Sequence, residues 1–448
     1  MKNISLSILV ALAFAAVSAA HAATKPNIVL IVADDLGYAD VGVHGCKDFA
    51  TPNIDSLAKG GLQFASGYAT SAVCAPSRAG ILSGRYQDRF GFQGNPKHGA
   101  SDWGLPTSER TIADRLKTAG YKTAAFGKWH LGEKPELHPM SRGFDEFFGF
   151  LGGMHDYFKA NDPGWGAIMD GRQTGELNEY LTFAIAKKGC AFIEQQKSQP
   201  FFLYLAFNAP HQPAQAPEDY LKKASNITDK RRQTYAAMVM ALDDSIGRVL
   251  KTLRDNGLEE NTLIFFMSDN GGPLIKGSAP NGSRNDPLRG SKLQLWEGGI
   301  RVPFFAQWKG HLPAGKIVSE PIISLDILPT ACAVAGVETK PEWKLDGLNL
   351  MPLLEGKTEH LARTELFWKF GSDQFAVRNG GWKLVKVHAD KGLFDLDKDI
   401  SEKVDRTAER APFAQELKAH WDGWDAKNPA VTLKAAAEKP GQSAGPEQ

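Results

Sequence analysis

The chain has 448 residues, of which 42% are hydrophobic and 23% charged, enough for a large apolar core. A formal net charge of +1 excludes the bulk basicity of nucleic-acid binders and the acidic excess of disordered chains. The four cysteines, Cys46, Cys74, Cys190 and Cys332, lie far apart without C-x-x-C or zinc-ligand spacing, so no disulfide framework is read from them.

In chain order, Met1-Lys2-Asn3 is a short basic start, residues 4–20 are almost wholly apolar and small, and Ala20-His21-Ala22 offers an A-x-A site. This predicts a signal peptide over 1–22, cleaved after Ala22, and a periplasmic or secreted protein. No later stretch is long enough to span a bilayer, so no stable membrane insertion is expected. Residues 26–33 form a short Ile/Val-rich run that reads as a buried parallel strand and closes in Asp34-Asp35. Acids at such a strand end stand at the site-forming edge of an α/β sheet. A helix over 107–119, strands over 121–127 and 201–207, a helix over 234–256 and a strand over 262–268 follow. The last strand closes in Asp269-Asn270. This alternation predicts an α/β fold, a large doubly wound mixed or parallel sheet flanked by helices, over residues 23–350. Beyond 350, short strand signals separated by Asn379-Gly380 and Lys391-Gly392 predict a smaller antiparallel-sheet subdomain over 351–433. Residues 434–448, rich in Ala, Lys, Glu, Pro and Gly, read as a disordered tail. Cys190 and Cys332 have apolar neighbours and read as core cysteines.

The polar residues at the strand ends make a set. Asp34, Asp35, Asp269 and Asn270 are hard oxygen donors, suited to calcium and less well to magnesium. One such pair alone would be a cap or turn; two, each closing a buried run, point to a metal. Lys128 and His130 follow a strand and, on an extended segment, point the same way. His211 lies between Pro210 and Pro213, a rigid place for a proton donor. Lys292 belongs to a loop rich in Gly and cations that can close over an anion. Together these groups suit a compact anion such as a phosphate or sulfate ester, and Cys74 is the candidate nucleophile.

V-C-A-P-S-R-A-G-I-L-S-G-R, residues 73–85, resembles the signature of formylglycine-dependent sulfatases of the alkaline-phosphatase-like superfamily. The resemblance continues through Pro26-Asn27-Ile28-Val29, Asp34-Asp35-Leu36-Gly37-Tyr38, Thr51-Pro52-Asn53-Ile54-Asp55 and Gly127-Lys128-Trp129-His130-Leu131-Gly132. It extends to Arg142-Gly143-Phe144-Asp145, Ala209-Pro210-His211, Ser268-Asp269-Asn270-Gly271 and Leu288-Arg289-Gly290-Ser291-Lys292. It implies that Cys74 is oxidised to formylglycine by a maturation enzyme, formylglycine-generating or radical-type. Asp34, Asp35, Asp269, Asn270 and the modified Cys74 would bind calcium, and Arg78 would steady the modified residue. Lys128 and His130 would hold the aldehyde hydrate, and His211 and Lys292 would face the sulfate and the leaving oxygen. A hydrate has two hydroxyls on one carbon, one to attack sulfur and one whose deprotonation expels sulfate, where a serine would be left as a stable ester.

The expected substrate is an extracellular sulfated carbohydrate. His155, in the segment following the Arg142 motif, could contact sulfate or a sugar hydroxyl. His98, Trp103, Trp165 and Arg284 are loop candidates for a sugar platform or a second anion contact. Competing readings are an aryl or small organic sulfatase, a phosphodiesterase or phosphonate monoester hydrolase with the same nucleophile, and an inactive sulfated-glycan-binding protein.

Overall fold

The structure, a computed structural model, describes residues 25–96, 98–99 and 103–429. The signal-peptide and tail readings lie outside these residues. Ten strands form one mixed sheet: β1 (Asn27–Ala33), β2 (Leu62–Phe64), β3 (Lys122–Lys128), β4 (Glu146–Phe150), β5 (Met169–Asp170), β6 (Gln173–Thr174), β7 (Phe201–Ala206), β8 (Thr262–Ser268), β9 (Phe304–Gln307) and β10 (Lys316–Val318). Their spatial order is β10-β2-β9-β8-β1-β7-β3-β4-β5-β6. The central neighbours β8, β1, β7, β3 and β4 run parallel. β9 pairs antiparallel with both β8 and β2.

The expected architecture is therefore present, and its cause is visible in β1. All seven β1 residues are buried, with Ile28, Leu30 and Val32 in one core and Val29, Ile31 and Ala33 in the other. Both faces of the sheet are covered, as a continuous apolar run requires. The Leu181–Gln195 and Lys230–Asp255 helices pack on the second face. The Cys74–Ser83 and Ile327–Val334 helices pack on the first. The helix read over 107–119 is shorter, Ile112–Lys117, because Thr111 takes the cap position and exchanges hydrogen bonds with Asp114.

Four strands, β11 (Glu365–Phe370), β12 (Gln374–Asn379), β13 (Trp382–Val387) and β14 (Asp390–Asp395), form a separate antiparallel sheet. The Ala411–Asp425 helix packs against it. Lys391-Gly392 is not the turn expected there. Both residues lie inside β14, opposite Lys386 and Val385, and the reversal is made by the preceding residues, where His388 has φ 54°. One apolar cluster joins this sheet to the larger unit, with Trp368, Leu393 and Trp421 packed with Tyr68, Leu295 and Ile300. Cys332 is a core residue and Cys190 is half-buried; all four cysteines are free. Among the described residues no helix is long and apolar enough to cross a membrane.

Candidate active site

Register creates the site. Ala33 of β1 lies opposite Ser268 of β8, Val32 opposite Ala206 of β7, and Ala206 opposite Gly127 of β3. Four parallel strands therefore end at one level. The residues that follow them, Asp34-Asp35, Asp269-Asn270, the His211 loop and Lys128 to His130, meet at the carboxyl edge of the sheet. Ser268 ties two of these ends: its hydroxyl accepts from the Leu36 N–H at 3.0 Å and donates to the Asn270 carbonyl at 2.8 Å. Asn281 ties a third, donating to the carbonyls of Asp35 (3.3 Å) and Pro210 (3.0 Å).

Cys74 enters from above as the first residue of a helix that is buried along its whole length. Val73 is extended, and the free Ala75 N–H donates to Asn95 Oδ1 at 3.0 Å. The helix can sit this deep because its residues are small. A Cβ on Gly80 would stand 2.5 Å from Thr70 Oγ1. The Cys74 thiol donates to Asp34 Oδ1 at 3.5 Å, and Lys292 Nζ donates to Cys74 Sγ at 3.3 Å.

The charges interlock. Asp34 Oδ2 accepts from Lys128 Nζ at 2.7 Å. Asp35 Oδ2 accepts from Lys292 Nζ at 2.9 Å and lies 3.5 Å from His211 Nε2. Asp269 Oδ2 accepts from Arg78 Nε at 2.9 Å and stands in ion-pair contact with Nη2 at 2.9 Å. Arg78 Nη1 also reaches the Lys128 carbonyl and the Tyr204 hydroxyl. Asn270 Nδ2 donates to Asp35 Oδ1 at 2.6 Å. His211 Nδ1 faces the Gln212 carbonyl at 2.7 Å. A carbonyl only accepts, so this contact puts the neutral ring's proton on Nδ1 and leaves Nε2 toward Asp35.

Burial pushes the Cys74 thiol up to about 12, against Lys128 and Lys292, so the thiolate is not its resting form. Burial raises Asp34 too, but Lys128, His211, Arg78 and Lys292 outweigh it and hold that carboxyl well below the usual range. Burial, then Asp34, push Asp269 up to about 7 despite Arg78. Burial lowers both His130 and His211.

These residues fit a divalent cation. One donor atom each from Asp34, Asp35, Cys74 and His211 lie within 4.8 Å of one another. Asn270 Oδ1 is buried without a hydrogen-bond partner, which is the state of a carbonyl oxygen placed for a cation. Three carboxylates face the three cations Arg78, Lys128 and Lys292, so the set is near neutral alone. A divalent ion would turn it into an anion trap.

The structure brings together Asp34, Asp35, Cys74, Arg78, Lys128, His130, His211, Asp269, Asn270 and Lys292. His130 is not on an extended segment as expected: it has φ 58°, just past the end of β3. Two substrate readings are corrected, His155 and Trp103, while Arg284 keeps an exposed side chain. His155 is buried, its two ring nitrogens facing the carbonyls of Asp156 and Gly166 at 2.8 and 3.2 Å, so it builds a loop and offers nothing outward. Trp103 packs its ring on Phe92, 4.9 Å between centroids, as part of the core. Arg284 is exposed but pairs with Asp48 at 3.0 Å. His98 stands differently: its Nδ1 is 2.9 Å from Glu133 Oε1 and its ring 6.3 Å from that of Trp165. A Cβ on Gly152 would stand 3.6 Å from His98 Nδ1 and 3.7 Å from Glu133 Oε1, and a Cβ on Gly153 would meet His130 Nε2 at 2.7 Å. This trio is thus next to the site. Glu133, Tyr204, Ser268 and Asn281 were missed as site residues; Glu133, three residues past His130, and Ser268, directly before Asp269, had a positional signal.

The sulfatase family model matches residues 26–337, well over half of the chain. The chain belongs to the sulfatase family. A second model, N-sulphoglucosamine sulphohydrolase, C-terminal, matches residues 291–422. The enzyme is 37% identical over 390 residues to N-acetylgalactosamine-6-sulfatase of Mus musculus, covering 82% of this chain and 72% of that one. It is 32% identical over 472 residues to arylsulfatase A of Bos taurus, covering 90% and 89%. Among solved structures it is similar to Ps i-CgsB in complex with k-i-k-neocarrahexaose. The TM-score is 0.87 at 38% identity, covering 92% of this chain and 95% of that one. The enzyme is a sulfuric ester hydrolase.

Proposed function

We propose that this sulfatase removes O-sulfate from an extracellular carbohydrate, with Cys74 converted to formylglycine as its nucleophile and one calcium ion in its site. The observation that carries the reading is the position of Cys74. Its Sγ lies 3.5 Å from Asp34 Oδ1 and 3.3 Å from Lys292 Nζ, inside a buried ring of three acids and three permanent cations. The formylglycine hydrate supplies a hydroxyl to attack sulfur and a second whose deprotonation releases sulfate. Asp34, Asp35, Asp269, Asn270 and the modified residue would hold the calcium ion, which when bound would supply positive charge to the sulfuryl oxygens. Arg78, fully buried against Asp269, fixes the acid edge and steadies residue 74. Lys292 and Lys128 add positive charge where an ester's oxygens would lie. His130 lies beside Lys128 and would hold the hydrate. His211 is the acid for the leaving oxygen as the imidazolium, which Asp34 and Asp35 favour against burial; the proton it gives is on Nε2, since Nδ1 is spent on the Gln212 carbonyl. The carbohydrate reading is supported by the sulfated-sugar names of relatives and by His98, Glu133 and Trp165 beside His130, a polar and aromatic group suited to sugar hydroxyls. Export is supported by residues 1–22, and maturation requires a partner enzyme that oxidises Cys74.

The test is sulfate release from a panel of sulfated oligosaccharides and polysaccharides, with aryl sulfates and matched phosphate esters alongside. Mass spectrometry of the same preparation reads the state of Cys74 and whether residues 1–22 are gone. Release from a glycan by converted wild type alone supports the reading. Converted enzyme that cleaves only phosphorus esters or small organic sulfates, or binds glycans without turnover, overturns it. A second expectation concerns His211→Ala. General-acid loss costs on the order of 10² to 10⁴ in rate, and the loss should fall most heavily on esters of poorly acidic alcohols. Equal losses for sugar and nitrophenyl sulfates would remove His211 from that role.

A further inference from the structure

The small C-terminal sheet reaches the chemistry through the loop that carries Lys292. That lysine must keep a flexible four-carbon arm aimed so that Nζ meets Asp35 and Cys74, which requires a fixed backbone. The backbone here is unusual: Leu293 has φ 72°, in the left-handed region that a non-glycine residue rarely occupies. Two hydrogen bonds from the large unit hold its near side, Lys292 N–H to the Gly272 carbonyl and Leu293 N–H to the Ala72 carbonyl. The other side is held by one side chain. Gln374, the first residue of β12, donates from Nε2 to the Leu293 carbonyl at 2.9 Å and accepts at Oε1 from the Leu295 N–H at 3.2 Å. The two contacts fix the orientation of the amide, because the carbonyl must accept and the N–H must donate.

Gln374 is 4% exposed and Leu295 fully buried, so water cannot easily replace either bond. The same sheet grips the next turn. Lys383 Nζ bridges Glu297 Oε1 (2.8 Å) and Glu402 Oε1 (2.9 Å), and Glu402 Oε2 accepts from the Glu297 N–H at 2.7 Å. Buried charges of this kind fix one arrangement of the chain segments that meet there.

We propose that Gln374 is a positioning residue that sets the backbone of residues 293–295 and thereby aims Lys292 at the sulfate. This rests on the role given to Lys292 above. The test compares Gln374→Met, which keeps volume and removes both hydrogen bonds, with Lys292→Met and with the double variant. The substrate is the sulfate ester that the panel identifies. Gln374→Met should lower kcat/KM at least tenfold with Cys74 still converted, and should add little in the Lys292→Met background. Hydrogen exchange over residues 288–300 should rise in Gln374→Met, a readout that needs no turnover. Wild-type kcat/KM, wild-type exchange, or losses that multiply in the double variant would overturn the proposal. An enzyme without turnover on any sulfate ester, but with the raised exchange, would fail the functional reading and leave the backbone clamp standing. Should Gln374→Met not fold, Gln374→Asn keeps the amide and withdraws it by one methylene from the Leu293 carbonyl and the Leu295 N–H. A smaller loss of kcat/KM is then expected, and an unchanged value overturns the proposal.

Discussion

Cys74→Ser turns the enzyme into a reagent that works once. The new serine hydroxyl can attack sulfur, but the product is a sulfate ester of the protein, with no second hydroxyl on the same carbon to expel the group. Steady turnover should fall by at least on the order of 10⁴-fold, the scale of losing a nucleophile, and one sulfo group should stay on the residue 73–85 peptide. Cys74→Ala should release nothing and retain nothing.

Both variants should fold, for a reason in the charge network. Cys74 is only one of the groups around Asp34. With the thiol gone, Asp34 still has Lys128 at 2.7 Å and Arg78 at 3.7 Å, and Lys292 still has Asp35 at 2.9 Å. No buried charge is left alone, so the cost is that of a small cavity, about 1 kcal/mol. Arg78 is the contrast: removing it would strand Asp269 in the interior, at about 3–5 kcal/mol. Thermal unfolding of Cys74→Ala beside wild type, with mass spectrometry of Cys74→Ser after substrate, reads both claims. Multiple turnovers by an unconverted Cys74→Ser protein would sink the formylglycine reading.

What was legible in the sequence was whatever repeats locally. Strands β1, β7 and β8 are largely continuous apolar runs and β3 carries a short one from Ala124 to Gly127, and each closes near a polar residue with chemistry, so both sheet and site edge could be read. That β1 lies between β7 and β8 could not, because pairing order is settled by long-range packing and not by any one segment. The β11 strand was missed, and the turn after β13 was displaced, because Gly392 looked like the reversal while His388 adopts the left-handed conformation instead. His155 looked like a polar loop residue, yet its partners are backbone carbonyls that only folding supplies. Gln374 and Asn281 were invisible for the same reason: these partners are main-chain atoms 71 to 246 positions away. The small residues after Cys74 have a structural cause, since a helix buried along its whole length beside Thr70 has no room for larger ones.

Removing calcium should lower the unfolding temperature as well as abolish turnover, and the size of the shift should depend on pH. In the ion-free site Asn270 Oδ1 is buried without a partner, a defect of about 1–3 kcal/mol. Asp269, raised from 3.8 to about 7 by burial and by Asp34, is costly to ionise. A carboxyl whose folded pKa lies above its unfolded value binds more protons folded than unfolded. It therefore destabilises the ion-free protein progressively as pH rises from about 4 to about 7. Calcium needs the ionised carboxylate, so its affinity rises over the same window, by at most about tenfold per pH unit for one proton displaced. At a concentration about 100 times its neutral-pH Kd, calcium should stabilise the fold by about 2.7 kcal/mol at neutral pH, and the same concentration should stabilise it less at mildly acid pH, where Kd is larger. Magnesium should restore less, because it tolerates only a tight octahedron and this donor set is fixed by its own ion pairs. The measurement is thermal unfolding in chelator, calcium or magnesium at mildly acid and neutral pH. An unfolding temperature indifferent to the ion at both would show that Arg78, Lys128 and Lys292 alone balance the acids, and that the site has no resident cation.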